Sequence, residues 1–111
     1  MISPAFADLV VLQGATFDQN VAIEVNGSAY NMTGFTGTLL AKDPDATTAE
    51  VTLTTSDGII LGNGTMALSM TAVDTAALTP GRYPYQVEVN TGTAIVRILE
   101  GQLRIVPEIT A

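Results

Sequence analysis

The 111-residue chain contains no cysteine, no histidine and no tryptophan. Without cysteine there is no disulfide framework and no cysteine-rich zinc site. Without histidine and cysteine together, the Ser-His and Cys-His nucleophile pairs and all histidine metal ligands are excluded. Charged residues make up only 14%, and just four of them are cationic: Lys42, Arg82, Arg97 and Arg104. Four scattered cations against eleven acids give a formal charge of −7, which argues against a phosphate backbone or an anionic lipid surface as partner. No apolar stretch approaches the ~20 residues of a membrane span. Met1 to Ala7 lacks the basic segment and long apolar core of a secretory leader. What remains is apolar: 47% of residues are hydrophobic. A chain of this length forms one domain, and one this apolar is expected to hide part of its surface against other chains.

The period of the apolar positions is two, not 3.6. Tyr83, Tyr85, Val87 and Val89 interleave with Pro84, Gln86 and Glu88, the alternation of a half-buried strand. Just ahead lies Leu78-Thr79-Pro80-Gly81-Arg82-Tyr83, which resembles the tyrosine corner of Greek-key β-sandwiches. There a ring packs on the core and its hydroxyl bonds backbone upstream, here expected near Thr79. Turn signals divide the rest. Asn26-Gly27 predicts a type I′ hairpin, read as spanning Val21 to Met32. Asp43-Pro44-Asp45, Asp57-Gly58, Gly62-Asn63-Gly64 and Asn90-Thr91-Gly92 mark further reversals. Asp74 is read as the N-cap of one short helical turn ended by Pro80, and Gly101 as a bulge in the last strand. Eight or nine short strands at this spacing predict an all-β sandwich or small barrel. It occupies residues 1–111 as one domain, with 1–8 and 107–111 as extended arms.

Few residues offer chemistry. A pair of carboxylates could serve a glycosidase, yet the acids fall in turns (Asp43, Asp45, Asp57) or at polar strand positions (Glu24, Glu50, Glu88), where they read as solvated charge. Asp43-Pro44-Asp45 lacks the Asp-x-Asp-x-Asp-Gly spacing of a calcium loop. Gly62 and Gly64 precede no Lys-Ser/Thr and no helix, so they form no phosphate loop. Asn26, Asn31 and Asn63 match glycosylation acceptors but read as turn chemistry. No metal, cofactor or nucleic acid is expected. In the terminal segments, Ile2, Phe6 and Ile109 either fray or pack on a neighbouring subunit. Tyr30 is the one aromatic not needed for the core, and therefore the candidate contact for a glycan.

The order of signals resembles a group of small tailed-phage proteins. The residues that carry it are Gln13-Gly14-Ala15-Thr16-Phe17, Asn31-Met32-Thr33-Gly34-Phe35-Thr36, Asp74 through Tyr85, and Leu99-Glu100-Gly101-Gln102-Leu103, spread over about residues 9–107. The chain is also similar to the N-terminal domain of phage baseplate upper proteins. That resemblance implies an immunoglobulin-like Greek-key sandwich. It further implies a non-enzymatic virion subunit, such as a capsid decoration, cement or baseplate adaptor, that docks on other virion proteins and is homo-oligomeric, with a trimer favoured by analogy. Leu78, Pro80, Gly81 and Tyr83 are then structural, and Ile2, Phe6 and Ile109 are the assembly contacts. The alternative expectation is a carbohydrate-binding or adhesion module, with Tyr30 as its contact.

Overall fold

A computed structural model describes residues 5–107. The strands are β1 (Ala5–Phe6), β2 (Leu9–Leu12), β3 (Phe17–Ala22), β4 (Glu24–Val25), β5 (Ser28–Ala29), β6 (Thr36–Ala41), β7 (Val51–Thr54), β8 (Ile59–Leu61), β9 (Thr65–Met70), β10 (Gly81–Asn90) and β11 (Ile95–Val106). One short helix, α1 (Ala72–Ala76), lies between β9 and β10. The large sheet runs β1-β11-β10-β6-β7, and β2 continues beside β11 where β1 stops. A smaller sheet, β3-β9-β8, lies opposite. Between them the alternating positions interdigitate: Leu39 and Ala41, Val87 and Val89, and Leu103 and Ile105 from one layer meet Ile59, Met66 and Leu68 from the other, all almost fully buried. The three methionines at 32, 66 and 70 belong to this core.

Several expectations are refined. The Asn26-Gly27 turn has φ of 54° and 81°, as a type I′ turn requires. However, its hairpin is confined to β4 and β5, because β3 is already committed to β9 from Phe17 to Ala22. Residues 5–8 are no loose arm: Ala5 and Phe6 pair in parallel with Leu99 and Glu100, and the Ala7 N–H donates to the Glu100 carbonyl at 3.0 Å. Ile2 and Ile109 lie outside the described residues.

The bulge in β11 is at Ile98, not Gly101. Val87 pairs with Leu99 while Glu88 pairs with Arg97, so Ile98 is the extra residue and both Ile98 and Leu99 turn inward. This switch of parity lets one long strand serve the core on both sides of the step. Gly101 pairs regularly with Tyr85. It is glycine because the chain between β1 and β2 crosses over it, and a Cβ there would fall 2.2 Å from the Ala7 carbonyl oxygen. The Tyr85 hydroxyl donates to that same carbonyl. The Asp8 carboxylate accepts the Gln102 N–H at 3.1 Å. Together these contacts pin the first strand pair to the sheet.

The helical turn is capped by Thr71 rather than Asp74. The Thr71 hydroxyl accepts the Asp74 N–H at 3.2 Å, which places Asp74 in the first turn, where its charge favours the N-terminal end of the helix. Thr75 is the only polar residue among the described ones that is fully buried. Its hydroxyl donates to the Ala15 carbonyl at 2.8 Å and accepts the Gly14 N–H at 3.1 Å. The helix is thereby riveted to the β2–β3 turn.

Candidate functional site

Tyr83 sits where β10 begins, partly buried against the core. Its hydroxyl donates to the Thr79 carbonyl at 2.9 Å, while the Thr79 N–H donates to the Glu50 carboxylate at 2.8 Å. Thr79 is therefore held on both sides. Burial first, and then the carboxylates of Glu50 and Asp43, push the Tyr83 phenol above its ordinary value. Gly81 has φ of 151°, and Leu78 packs on the core edge. Leu78, Pro80, Gly81 and Tyr83 thus build a corner.

Beside that corner is a depression of about 520 Å³ holding Glu50, Asp57 and Asp74 among threonines and Ser69. Glu50 is already engaged by Thr79. Among the described residues, no group of three His, Cys, Asp or Glu could hold a metal ion. Asp43 closes its own turn, accepting the Asp45 N–H at 3.1 Å.

Tyr30 lies at the edge of the core. It is half-buried, and its ring leans on Phe35 with centroids 6.0 Å apart and planes tilted by 60°. Asn31 turns inward on its own loop, accepting the Thr33 N–H at 3.1 Å. The exposed aromatic is Phe6, 79% accessible.

Phe6 belongs to the outer face of the large sheet, where the structure gathers more than the sequence suggested. Because β-strand side chains alternate, the outward positions of β10 are Arg82, Pro84, Gln86 and Glu88. Register places Arg104 opposite Arg82, Gln102 opposite Pro84, and Glu100 opposite Gln86 on one flank. Leu40 lies opposite Gln86 on the other flank. Val10 and Leu12 extend the face along β2, beside Arg104 and Val106. Of the seven large hydrophobic residues that are exposed among the described residues, five stand here: Phe6, Val10, Leu12, Leu40 and Ile95. A shallow groove of about 720 Å³ runs between Phe6, Leu40, Lys42, Pro84, Gln86 and Glu100.

All four cations of the chain converge on this face, although they lie far apart in sequence. Lys42 follows β6 and donates its N–H to the Pro84 carbonyl; Arg82, Arg97 and Arg104 project from β10 and β11. Only Asp8, Glu88 and Glu100 share the face with them, and the other seven described acids lie elsewhere. The single ion pair among the described residues joins Arg97 and Glu100 at 3.5 Å. Arg82 and Arg104 are cross-strand neighbours with no acid in salt-bridge range among the described residues. Like charges directly opposite cost roughly 0.2–1 kcal/mol. A chain with eleven acids leaves that cost uncompensated here.

No protein-family model matches the chain, and no curated protein matches it. Among solved structures, the chain is similar to the extracellular domain of the voltage-gated sodium channel β4 subunit. That domain was described as parallel homodimers that explain the subunit's role in cell–cell adhesion. Identity is 11%, the TM-score is 0.42, and the match covers 98% of each chain. It is likewise similar to a structure from work on multimeric cell-adhesive interactions of these channel β subunits, at 12% identity and a TM-score of 0.41, covering 96% of this chain and 97% of that one. The expectation of a tailed-phage virion subunit is corrected: no family model or curated protein ties the chain to phage, and the similar structures named here come from sodium channel β subunits. The physical reason is visible in the residues that suggested it. The Gly14 turn, the Asn31–Phe35 turn, the α1–Tyr83 corner and the Gly101 crossover are all devices for closing the sandwich, so they report architecture rather than lineage. The fold itself is an immunoglobulin-like β-sandwich.

Proposed function

We propose that the protein is a non-catalytic adhesion module that docks a protein partner on the outer face of its large sheet. The observation that carries this reading is the convergence of Phe6, Val10, Leu12 and Leu40 with all four cations on one face. Large exposed hydrophobics next to unpaired arginine are the composition of an interface centre, whereas solvated sheet faces alternate apolar-in with polar-out. The groove is open and shallow, suited to a surface rather than to an enclosed small molecule. With neither histidine nor cysteine in the chain and Glu50 tied into the corner, acid–base or nucleophilic chemistry has little to work with.

The test is adhesion of cells of the source organism to surfaces coated with the protein. Wild type and Ile60→Asp, which alters the opposite sheet, are expected to hold cells equally. The double variant Phe6→Asp/Leu40→Asp is expected to release them while keeping its circular dichroism spectrum. No adhesion by wild type, or equal adhesion by the double variant, refutes the reading.

A further inference from the structure

We infer that the free edge of β3 pairs with the same edge of a second copy, antiparallel about a two-fold axis at Asn20, joining two small sheets into one. This edge lies on the sheet opposite the outer face, so the inference stands apart from the docking role proposed there. Hydrogen-bond parity shows which groups are free. The Ser69 N–H donates to the Gly58 carbonyl at 2.8 Å and the Gly62 N–H to the Thr65 carbonyl at 2.9 Å, so the odd residues of β9 point at β8. Its even residues therefore point at β3, where Met70, Leu68 and Met66 pair with Phe17, Gln19 and Val21. The Ile23 N–H continues the series by donating to the Gly64 carbonyl at 2.9 Å. Asp18, Asn20 and Ala22 thus turn their N–H and carbonyl groups away from the sheet. Among the described residues, these groups receive one bond, from the Gln19 side-chain amide to the Asn20 carbonyl at 3.3 Å. Gln19 shares the inward parity of Phe17 and Val21 yet is exposed, which fits an uncovered edge.

The other sheet edges are short or closed. β8 has three residues. β7 has four, and both the N–H and the carbonyl of its Thr54 are taken by Asp57, at 3.0 and 2.9 Å. Beside β11, the two residues of β1 and the four of β2 are parted by the crossover at Ala7. β3 runs for six residues in unbroken register. It has none of the proline, lysine or bulge with which sheets blunt an edge, and its single charge is Asp18.

The occupant follows from the spacing of the free groups. Asp18, Asn20 and Ala22 are symmetric about Asn20, so a two-fold axis there sets Asn20 on Asn20 and Asp18 on Ala22 of the second copy. Every free N–H on one edge then meets a free carbonyl on the other. On the inward parity Gln19 meets Val21 and Phe17 meets Ile23; on the outward parity Thr16 meets Glu24, and no acid faces an acid. Sliding the register by two residues in one direction sets Asp18 on Glu24, like charges directly opposite. Sliding it in the other sets Ala22 on Thr16, beyond the end of the strand. The edge is thus complementary to itself in one register. The contact is small, so the dimer is weak and transient.

Sedimentation velocity on the full chain over a dilution series decides the matter. Wild type is expected to be a concentration-dependent dimer. Asn20→Pro removes an N–H that the β3–β9 ladder does not use, so its circular dichroism spectrum is expected to stay unchanged. Its association is expected to weaken at least about tenfold, because symmetry removes two hydrogen bonds at once. Ala22→Lys brings a cation opposite Asp18 twice and is expected to tighten the dimer about threefold, whereas Ala22→Asp sets acid on acid and loosens it by about as much. Ile60→Lys makes the same change in net charge away from β3 and is expected to leave association unchanged. A wild-type monomer up to ~1 mM overturns the second copy as occupant. A dimer indifferent to a folded Asn20→Pro overturns the edge as its site. Equal effects of Ala22→Lys and Ala22→Asp, or equal tightening by Ile60→Lys, overturn the register whether or not Asn20→Pro folds.

Discussion

Replacing Thr75 with valine is the sharpest probe of how the helical turn is fixed. Valine matches threonine in shape and in its stiffness at χ1, so the backbone of α1 has no reason to change. What is lost is the hydroxyl of a fully buried residue, which donates to Ala15 at 2.8 Å and accepts from Gly14 at 3.1 Å at the partly exposed β2–β3 turn. A methyl group in that slot also sits closer to both backbone atoms than carbon tolerates. Each bond lost at such a partly exposed turn costs about 1 kcal/mol, so about 2 kcal/mol in total is a fair expectation. For a chain of 111 residues, unfolding entropy near the midpoint converts each kcal/mol into about 4 °C, giving a fall of about 8 °C in Tm. Thr75→Ser keeps the hydroxyl and removes only a buried methyl, at about 1 kcal/mol. Scanning calorimetry on the three proteins then orders them wild type, serine, valine. If hydrophobic burial were the purpose of position 75, valine would equal or exceed wild type and serine would be the worst. That order would refute the reasoning.

Other outcomes follow from the same geometry. Tyr83→Phe removes the bond to Thr79 at a half-buried site and is expected to lower stability by about 1 kcal/mol in urea unfolding, with the m-value unchanged. Gly101→Ala forces a Cβ onto the Ala7 carbonyl at 2.2 Å. Hydrogen exchange at the Ala7 amide should accelerate strongly while the β10–β6 amides stay protected, because the first strand pair must lift away. Burial, reinforced by Asp8, pushes the Tyr85 phenol up to about 12. Its neutral form is thus favoured by folding, so this contribution to stability is complete below pH ~10, the unfolded value, and is lost as pH rises through about 12. Tyr85→Phe should abolish that alkaline loss, and absorbance titration near 295 nm should lose its latest-ionising phenol.

Much of the architecture could be read from residues whose backbone demands are unusual. Asn26-Gly27 announced its turn because two consecutive positive φ angles suit few other pairs. The stretch from Pro80 to Val89 announced a corner and a strand because fixed φ, a glycine and a period of two coincide there. Where several residues satisfy the same rule, the sequence is silent. Thr71 and Asp74 are both capping types, and only the bond between them shows which is the cap. Ile95 to Leu99 is continuously apolar apart from Arg97, so nothing along the chain marks Ile98 as the inserted residue. Gly101 was legible as special but not as a crossover, since the Ala7 backbone that demands it is more than ninety residues away.

The candidate site was less visible still. Phe6 was singled out with Ile2 and Ile109 as a terminal contact, but its position on a sheet face depends on pairing with Glu100. Lys42, Arg82, Arg97 and Arg104 look like isolated charges in the linear chain. Sheet register alone brings them together, and register is a long-range property that periodicity does not encode. Tyr30, singled out by elimination, packs its ring against Phe35 at the edge of the core, a neighbour that composition does not reveal.

Contact made directly through the outer face is the claim to test first. A photo-activatable side chain placed at Leu40, and separately at Ile60 on the opposite sheet, would be irradiated under conditions where adhesion is observed. The expected result is a discrete cross-linked species from position 40 and none from position 60. Cross-linking from position 60 with none from position 40 would contradict it.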